Sequence, residues 1–120
     1  MHELVRTLKA LADPTRLRML HLLAARGELC VCEIVDALAV PQYSISRHLG
    51  ILKAAGVVDD WRQGKWMHYR LSQALSADDR AVIAAVASRA RMNLHARHDL
   101  RRLEQYIRPR VKGEIVAPRV

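Results

Sequence analysis

Apolar residues recur along this chain with helical spacing in several places and with strand spacing in one. Leu4, Leu8 and Leu11, with Val5 beside them, mark a first amphipathic helix. It is predicted to stop at Asp13-Pro14-Thr15, where Asp13 caps and Pro14 opens a second helix with Leu17, Leu20, Leu23 and Ala24 on its inner face, ending at Gly27. Glu28 to Val31 reads as extended. Val31, Ile34, Val35 and Leu38 then repeat at i, i+3, i+4 and i+7, which predicts a short helix over residues 32–39. After a turn from Ala39 to Gln42, Ile45, Leu49 and Leu52 share the inner face of a further helix, and Gly56 is its left-handed stop. Two helices joined in this way form a helix-turn-helix.

Beyond Gly56 the period changes. Val57–Arg62 and Lys65–Leu71 flank Gln63-Gly64, and Met67, Tyr69 and Leu71 alternate with Trp66, His68 and Arg70, which predicts a β-hairpin. A hairpin directly behind a helix-turn-helix is the wing of a winged helix. From Ser76 a helical stripe runs through Ile83, Val86, Ala87, Ala90, Leu94, Leu103 and Ile107, so one helix of nearly 30 residues is expected, long enough to pack on a second chain. The fold class is therefore mostly α with a small β-hairpin, a homodimeric winged helix-turn-helix. Residues 1–108 read as one DNA-binding and dimerisation domain, and residues 109–120 as a flexible basic C-terminal tail.

Charge sharpens this reading. The 120-residue chain carries a net charge of +8, and its excess lies in the second half: seven basic against seven acidic residues in 1–60, thirteen against five in 61–120. A polyanionic partner fits such a balance. The outer face of the second helix of the motif offers Gln42, Tyr43, Ser44, Ser46, Arg47 and Lys53, groups that read base edges and bond phosphates in a major groove. His48 sits at the edge of the buried face, structural or contacting. Arg62 and Lys65 at the wing tip reach for phosphates or the minor groove. No uncharged run is long enough to span a bilayer and no signal-peptide core is seen, so a cytoplasmic protein without membrane contact is expected.

Only two cysteines occur, Cys30 and Cys32, too close together to close a useful loop. In a reducing compartment such a pair points to metal binding or redox chemistry. Thiolates suit soft ions, and in an extended or turned backbone two cysteines at i, i+2 can converge on one of them.

Leu8-Lys-Ala-Leu-Ala-Asp-Pro-Thr-Arg-Leu-Arg-Met-Leu20, Glu28-Leu-Cys-Val-Cys-Glu-Ile34, Ser44-Ile-Ser-Arg-His-Leu49 and Arg62-Gln-Gly-Lys-Trp66, in unbroken order across about residues 3–72, resemble the ArsR/SmtB family of winged-helix repressors. The resemblance implies a homodimer joined by its first and last helices, bound to operator double-stranded DNA of metal-resistance genes and released by a thiophilic ion. Cys30-Val-Cys32 resembles the sensor motif of the arsenite- and antimonite-responsive branch, which implies arsenic(III) or antimony(III) as inducer and these cysteines as ligands. The third cysteine of that branch would fall at Val35, so a third ligand must be water, a small thiol or the organic substituent of an organoarsenical. Induction by cadmium, lead or zinc, or by thiol oxidation, stays open, as do packing cysteines with no sensing role. A second branch of the family binds zinc or nickel on the last helix, but the Asp-x-His start of that site is absent here. An enzyme is not expected and no resident cofactor is required: the redox motif Cys-x-x-Cys in a βαβ unit is missing, as are a nucleophile–base pairing and a phosphate loop. A non-sensing basic nucleic-acid-binding protein would discriminate weakly between sequences.

Overall fold

The computed structural model describes residues 1–111 and 114–115. Helices α1 (His2–Leu11) and α2 (Pro14–Arg26) meet at Asp13, whose carboxylate accepts from the N–H groups of Thr15 and Arg16 at 2.9 and 3.0 Å. Those N–H groups have no partner within the helix, so the cap satisfies them. β1 (Glu28–Cys30) leads directly into α3 (Val31–Leu38), which ends at a left-handed Ala39 with φ 55°, and α4 (Gln42–Ala54) follows. β2 (Val58–Gln63) and β3 (Trp66–Leu71) form the hairpin around Gly64, and β1 pairs antiparallel with β3, so β3 is the central strand of three. Fold class, helix-turn-helix and wing stand where the spacing put them: this is a winged helix-turn-helix.

Helix α2 is the centre of the core. Met19, Leu20, Leu22 and Leu23 are all buried, whereas Ala24, expected on the inner face, is exposed. A single inner face is the wrong picture here, because α1, α3, α4, the helical segments after the wing and the sheet all pack on α2. The expected stripe of α1 also divides: Leu11 is buried, but Leu4, Val5 and Leu8 remain 42%, 41% and 45% exposed in the single chain.

The long C-terminal helix is corrected to two, α5 (Ala77–Ala90) and α6 (Leu94–Tyr106). Asn93 is the reason. Its side-chain oxygen accepts from the N–H groups of His95 and Ala96 at 2.8 and 3.3 Å, capping a new helix instead of continuing the old one. The break lets α6 turn back onto the helix-turn-helix. Asp99 of α6, fully buried, accepts two bonds from the Arg18 guanidinium at 2.8 Å each and one from Arg102 at 2.8 Å. The same two arginines donate to the last carbonyls of α3: Arg18 to Leu38 at 3.0 Å and Arg102 to Ala37 at 2.6 Å. The C-terminal end of α3 is thus satisfied by α2 and α6.

The chain then crosses the outer face of the wing sheet. Of the tail expected over 109–120, residues 112–113 and 116–120 lie outside the described residues. Within it, β4 (Arg110–Val111) and β5 (Glu114–Ile115) pair, and Arg110 is anchored. Its guanidinium donates to both oxygens of Glu33, at 2.6 and 3.0 Å. The Arg108 N–H donates to Glu33 at 2.7 Å and the Cys30 N–H at 2.9 Å. Burial alone would raise the Glu33 pKa. The Arg110 bonds and the two backbone N–H groups overcome this and hold it below its ordinary 4.5.

A carboxyl held low when folded stabilises the protein above its unfolded value, and that contribution is lost as pH falls through the folded value. Stability should therefore drop on acidification below 4.5. Glu33→Gln should remove this part of the acid limb and, by leaving the half-buried Arg110 with only Glu28 at 3.5 Å, cost about 1–3 kcal/mol at neutral pH. Chemical denaturation of both proteins across the acid range checks both outcomes; an unchanged midpoint at neutral pH contradicts them.

Candidate nucleic-acid interface and thiol pair

Packing of Ile45, Leu49 and Leu52, all fully buried, fixes the rotation of α4. The residues between them therefore face outward. Gln42, Ser46 and Arg47 are exposed, Ser44 is half-buried, and Tyr43 stands 78% exposed at the helix start. Arg62 and Lys65 are exposed on the wing, with the Lys65 ammonium 5.0 Å from the centre of the Trp66 ring. Among the described residues neither cation has a carboxylate partner.

Two predicted contacts stand apart from this group. His48 is buried, with Nδ1 3.1 Å from the Arg16 guanidinium and 3.8 Å from the Asp13 carboxylate. Burial lowers its pKa, Asp13 opposes this, and Arg47 and Arg16 add to the lowering. Of its two readings, the structure favours the structural one. Lys53 is on the surface but donates to Asp60 at 2.9 Å, tying the end of α4 to β2.

The cysteines lie where strand becomes helix. Cys30 is the extended residue preceding α3 and Cys32 belongs to its first turn, so the backbone bends between them and their sulfurs meet, joined here as a disulfide with Cα atoms 5.4 Å apart. In a regular helix they would diverge. Cys30 is buried and Cys32 half-buried. Among the described residues no group of three or more His, Cys, Asp or Glu side chains is placed to hold a metal ion. Val35 occupies the third position with an apolar side chain.

A cleft of about 390 Å³ opens beside the thiol pair. Gln42 and Ser46 of α4 form one wall of it, and Arg62 and Lys65 of the wing another, so it brings together two groups that the sequence linked only by motif. Trp66, Met67 and Tyr69 complete the lining on the sheet side.

Two features escaped sequence reasoning. The Glu33 anchor carries a weak local signal, an acidic residue three positions after a cap, but its Arg110 partner lies 77 positions away. His68, which alternation places with Trp66 and Arg70 without saying what meets that face, is fully buried, its ring stacked on Trp61 with centroids 5.2 Å apart. Burial, and then the Arg110 charge, keep its pKa low. Nothing in the sequence signals that the segment after α6 covers this face.

The signature of the bacterial regulatory protein arsR family matches residues 13–60. The chain is 49% identical over 73 residues to the arsenical resistance operon repressor of Escherichia coli, an alignment that takes in 61% of this chain and 62% of that protein. Among solved structures, it resembles the homodimeric winged helix-turn-helix DNA-binding domain (fragment 1–100) of a possible ArsR-family regulator from Mycobacterium bovis, with a TM-score of 0.63 and 33% identity over 78% of this chain and 82% of that one. It also resembles the antimony-specific transcriptional repressor AntR, with a TM-score of 0.60 and 28% identity over 77% and 83% of the two chains. Interior packing, outward-facing recognition helix, wing and sequence signature agree, and the chain belongs to the arsR family of bacterial regulatory proteins.

Proposed function

We propose that the protein is a cytoplasmic, homodimeric repressor that binds operator DNA through α4 and the wing. It leaves the operator when a trivalent arsenical or antimonial binds Cys30 and Cys32 as thiolates. The observation that carries this reading is the cleft shared by the thiol pair and by Gln42, Ser46, Arg62 and Lys65. Gln42, Tyr43, Ser44, Ser46 and Arg47 read or flank the major groove in this reading, and Arg62 and Lys65 hold phosphates. His48 and Lys53, held by partners within the chain, are left out of the contact set. The exposed Leu4, Val5 and Leu8 of α1 and Leu94 of α6 supply an apolar face for a second copy. The names of the arsenical and antimony repressors that the chain resembles support the inducer class.

Release follows from attachment. The reduced thiols sit at the junction of β1 and α3, so binding one ion to both sulfurs reshapes that junction. Helix α3 packs on α4, and a dimer must match two half-sites at once, so a small rotation of α4 weakens both contacts. A second reading, release on thiol oxidation, is favoured by the bond between the two sulfurs.

Operator affinity should be strongly salt-dependent: with about four phosphate contacts per dimer, from Arg62 and Lys65 of each copy, it should fall by roughly two decades between 50 and 200 mM salt. A flat titration contradicts DNA binding of this kind. Arg47→Ala should cost about 1–3 kcal/mol on the operator and relax preference at one position per half-site. Equal loss on operator and random DNA would make Arg47 a phosphate contact only.

Gel shifts with and without arsenite, a phenyl arsenical and peroxide separate the inducer readings. Cys30→Ser and Cys32→Ser should each hold the operator and ignore the arsenical, whereas for the wild type the arsenical should weaken binding about 5- to 150-fold. If both variants release DNA at the wild-type dose, the sensor site lies elsewhere. Release of the wild type by peroxide alone selects the oxidation reading.

A further inference from the structure

The cleft beside the thiol pair is much larger than a metalloid ion requires. At about 390 Å³ it falls within the roughly 300–1,000 Å³ of small-molecule pockets, whereas a single water takes about 30 Å³. Arsenic(III) makes three bonds. Two go to Cys30 and Cys32, Val35 cannot supply the third, and the side of the pair that opens is the cleft. Of its sheet-side lining, Met67 and Tyr69 share one face of β3 with Arg62 opposite Met67, an apolar and polarisable surface that suits an aromatic ring. Its rim carries Arg62 and Lys65, exposed and without carboxylate partners among the described residues, which suit an anion.

We propose that this cleft holds the organic substituent of the inducer, a trivalent arsenical bearing one aryl ring with an anionic group. Its arsenic binds Cys30 and Cys32, its ring lies against Met67 and Tyr69, and its anion pairs with Arg62 and Lys65. The proposal rests on the sensing role given above to the two cysteines and adds the ligand class. It also adds a second route to release: the anion occupies the two wing cations assigned to DNA phosphates, so inducer and operator compete for them directly.

The chemistry balances without a change in arsenic oxidation state. Two equivalents of a monothiol first reduce the Cys30–Cys32 disulfide, giving two protein thiols and one external disulfide. An aryl arsonous acid, Ar–As(OH)2, then condenses with the two thiols. Two As–O bonds break, two As–S bonds form, and the hydroxyls leave as two waters with the thiol protons.

The test uses the full chain, reduced with a monothiol and desalted without air, in the absence of DNA. Affinities for phenylarsonous acid and its 4-carboxy derivative are measured by titration, following tryptophan fluorescence. The wild type should bind the carboxylate compound about tenfold more tightly, the ratio expected of a charge-assisted hydrogen bond. In Arg62→Ala/Lys65→Ala that ratio should fall to about one, and in the charge-keeping Arg62→Lys/Lys65→Arg it should persist; circular dichroism of each variant verifies folding. A wild-type ratio near one, or a preference that survives in the alanine variant, overturns the cleft assignment and leaves the thiol site standing. If neither compound binds, or if Cys30→Ser and Cys32→Ser bind both as the wild type does, the sensing role itself fails and this proposal falls with it.

Discussion

The buried carboxylate of Glu33 is the constraint on which the junction of β1 and α3, with its two cysteines, depends. A charged carboxylate without solvent is stable only if its lone pairs are filled, and here four donors fill them. Two come from Arg110, one from the Arg108 N–H and one from the Cys30 N–H. The last of these joins the anchor to the cysteine pair. It fixes the backbone of a cysteine through the side chain of the residue that follows its partner Cys32. The arrangement therefore ties strand β1, the start of α3 and the segment after α6 into one rigid unit around the two sulfurs.

Helix α3 is fastened at its other end by a second buried carboxylate. Asp99 holds the guanidinium groups of Arg18 and Arg102 in place, and these in turn bond the carbonyls of Leu38 and Ala37. Eight residues of helix are thus held at the first turn by the C-terminal segment and at the last turn by α2 and α6. Such a short helix has little stability of its own. Its position is set by these two polar anchors and by Ile34, Ala37 and Leu38 in the core. A disturbance at the cysteines therefore meets an element fastened at both ends rather than a flexible loop, and that element packs directly on α4.

What could be read from the sequence was what short-range chemistry decides. The Asp13 cap, the Gly27 and Gly56 stops, the α4 stripe and the alternation of the wing involve neighbours within a few positions, and each appears where spacing placed it. The thiol pair was legible for the same reason. Long-range partners were not. Glu33 with Arg110 and Arg18 with Asp99 join residues 77 and 81 positions apart, and no periodicity encodes such a pairing. The long final helix failed because a stripe of apolar residues can be continued across a break: Asn93 offered a cap that the stripe did not reveal. The burial of His68 was not legible because alternation groups it with Trp66 and Arg70 but does not tell that a distant segment, carrying Arg108 and Arg110, packs on that face.

In the repressor reading proposed above, the shared cleft sets how a thiol event would reach DNA. If the cysteines lay across the core from α4, release would require the whole path between them to have two states. Here Gln42, Ser46, Arg62 and Lys65 line the same cleft as the pair, so in that reading a ligand would act on the groups assigned to DNA by occupancy as well as by moving α3. The two routes have different dependence on ligand shape. Movement needs only two sulfurs drawn onto one ion, whereas occupancy needs a substituent that fills the cleft and reaches the wing. Linkage holds for either: whatever factor the ligand removes from DNA affinity, DNA removes from ligand affinity. An operator pressed against the wing would then close the cleft, and the repressor would be hardest to induce by bulky ligands while DNA is bound.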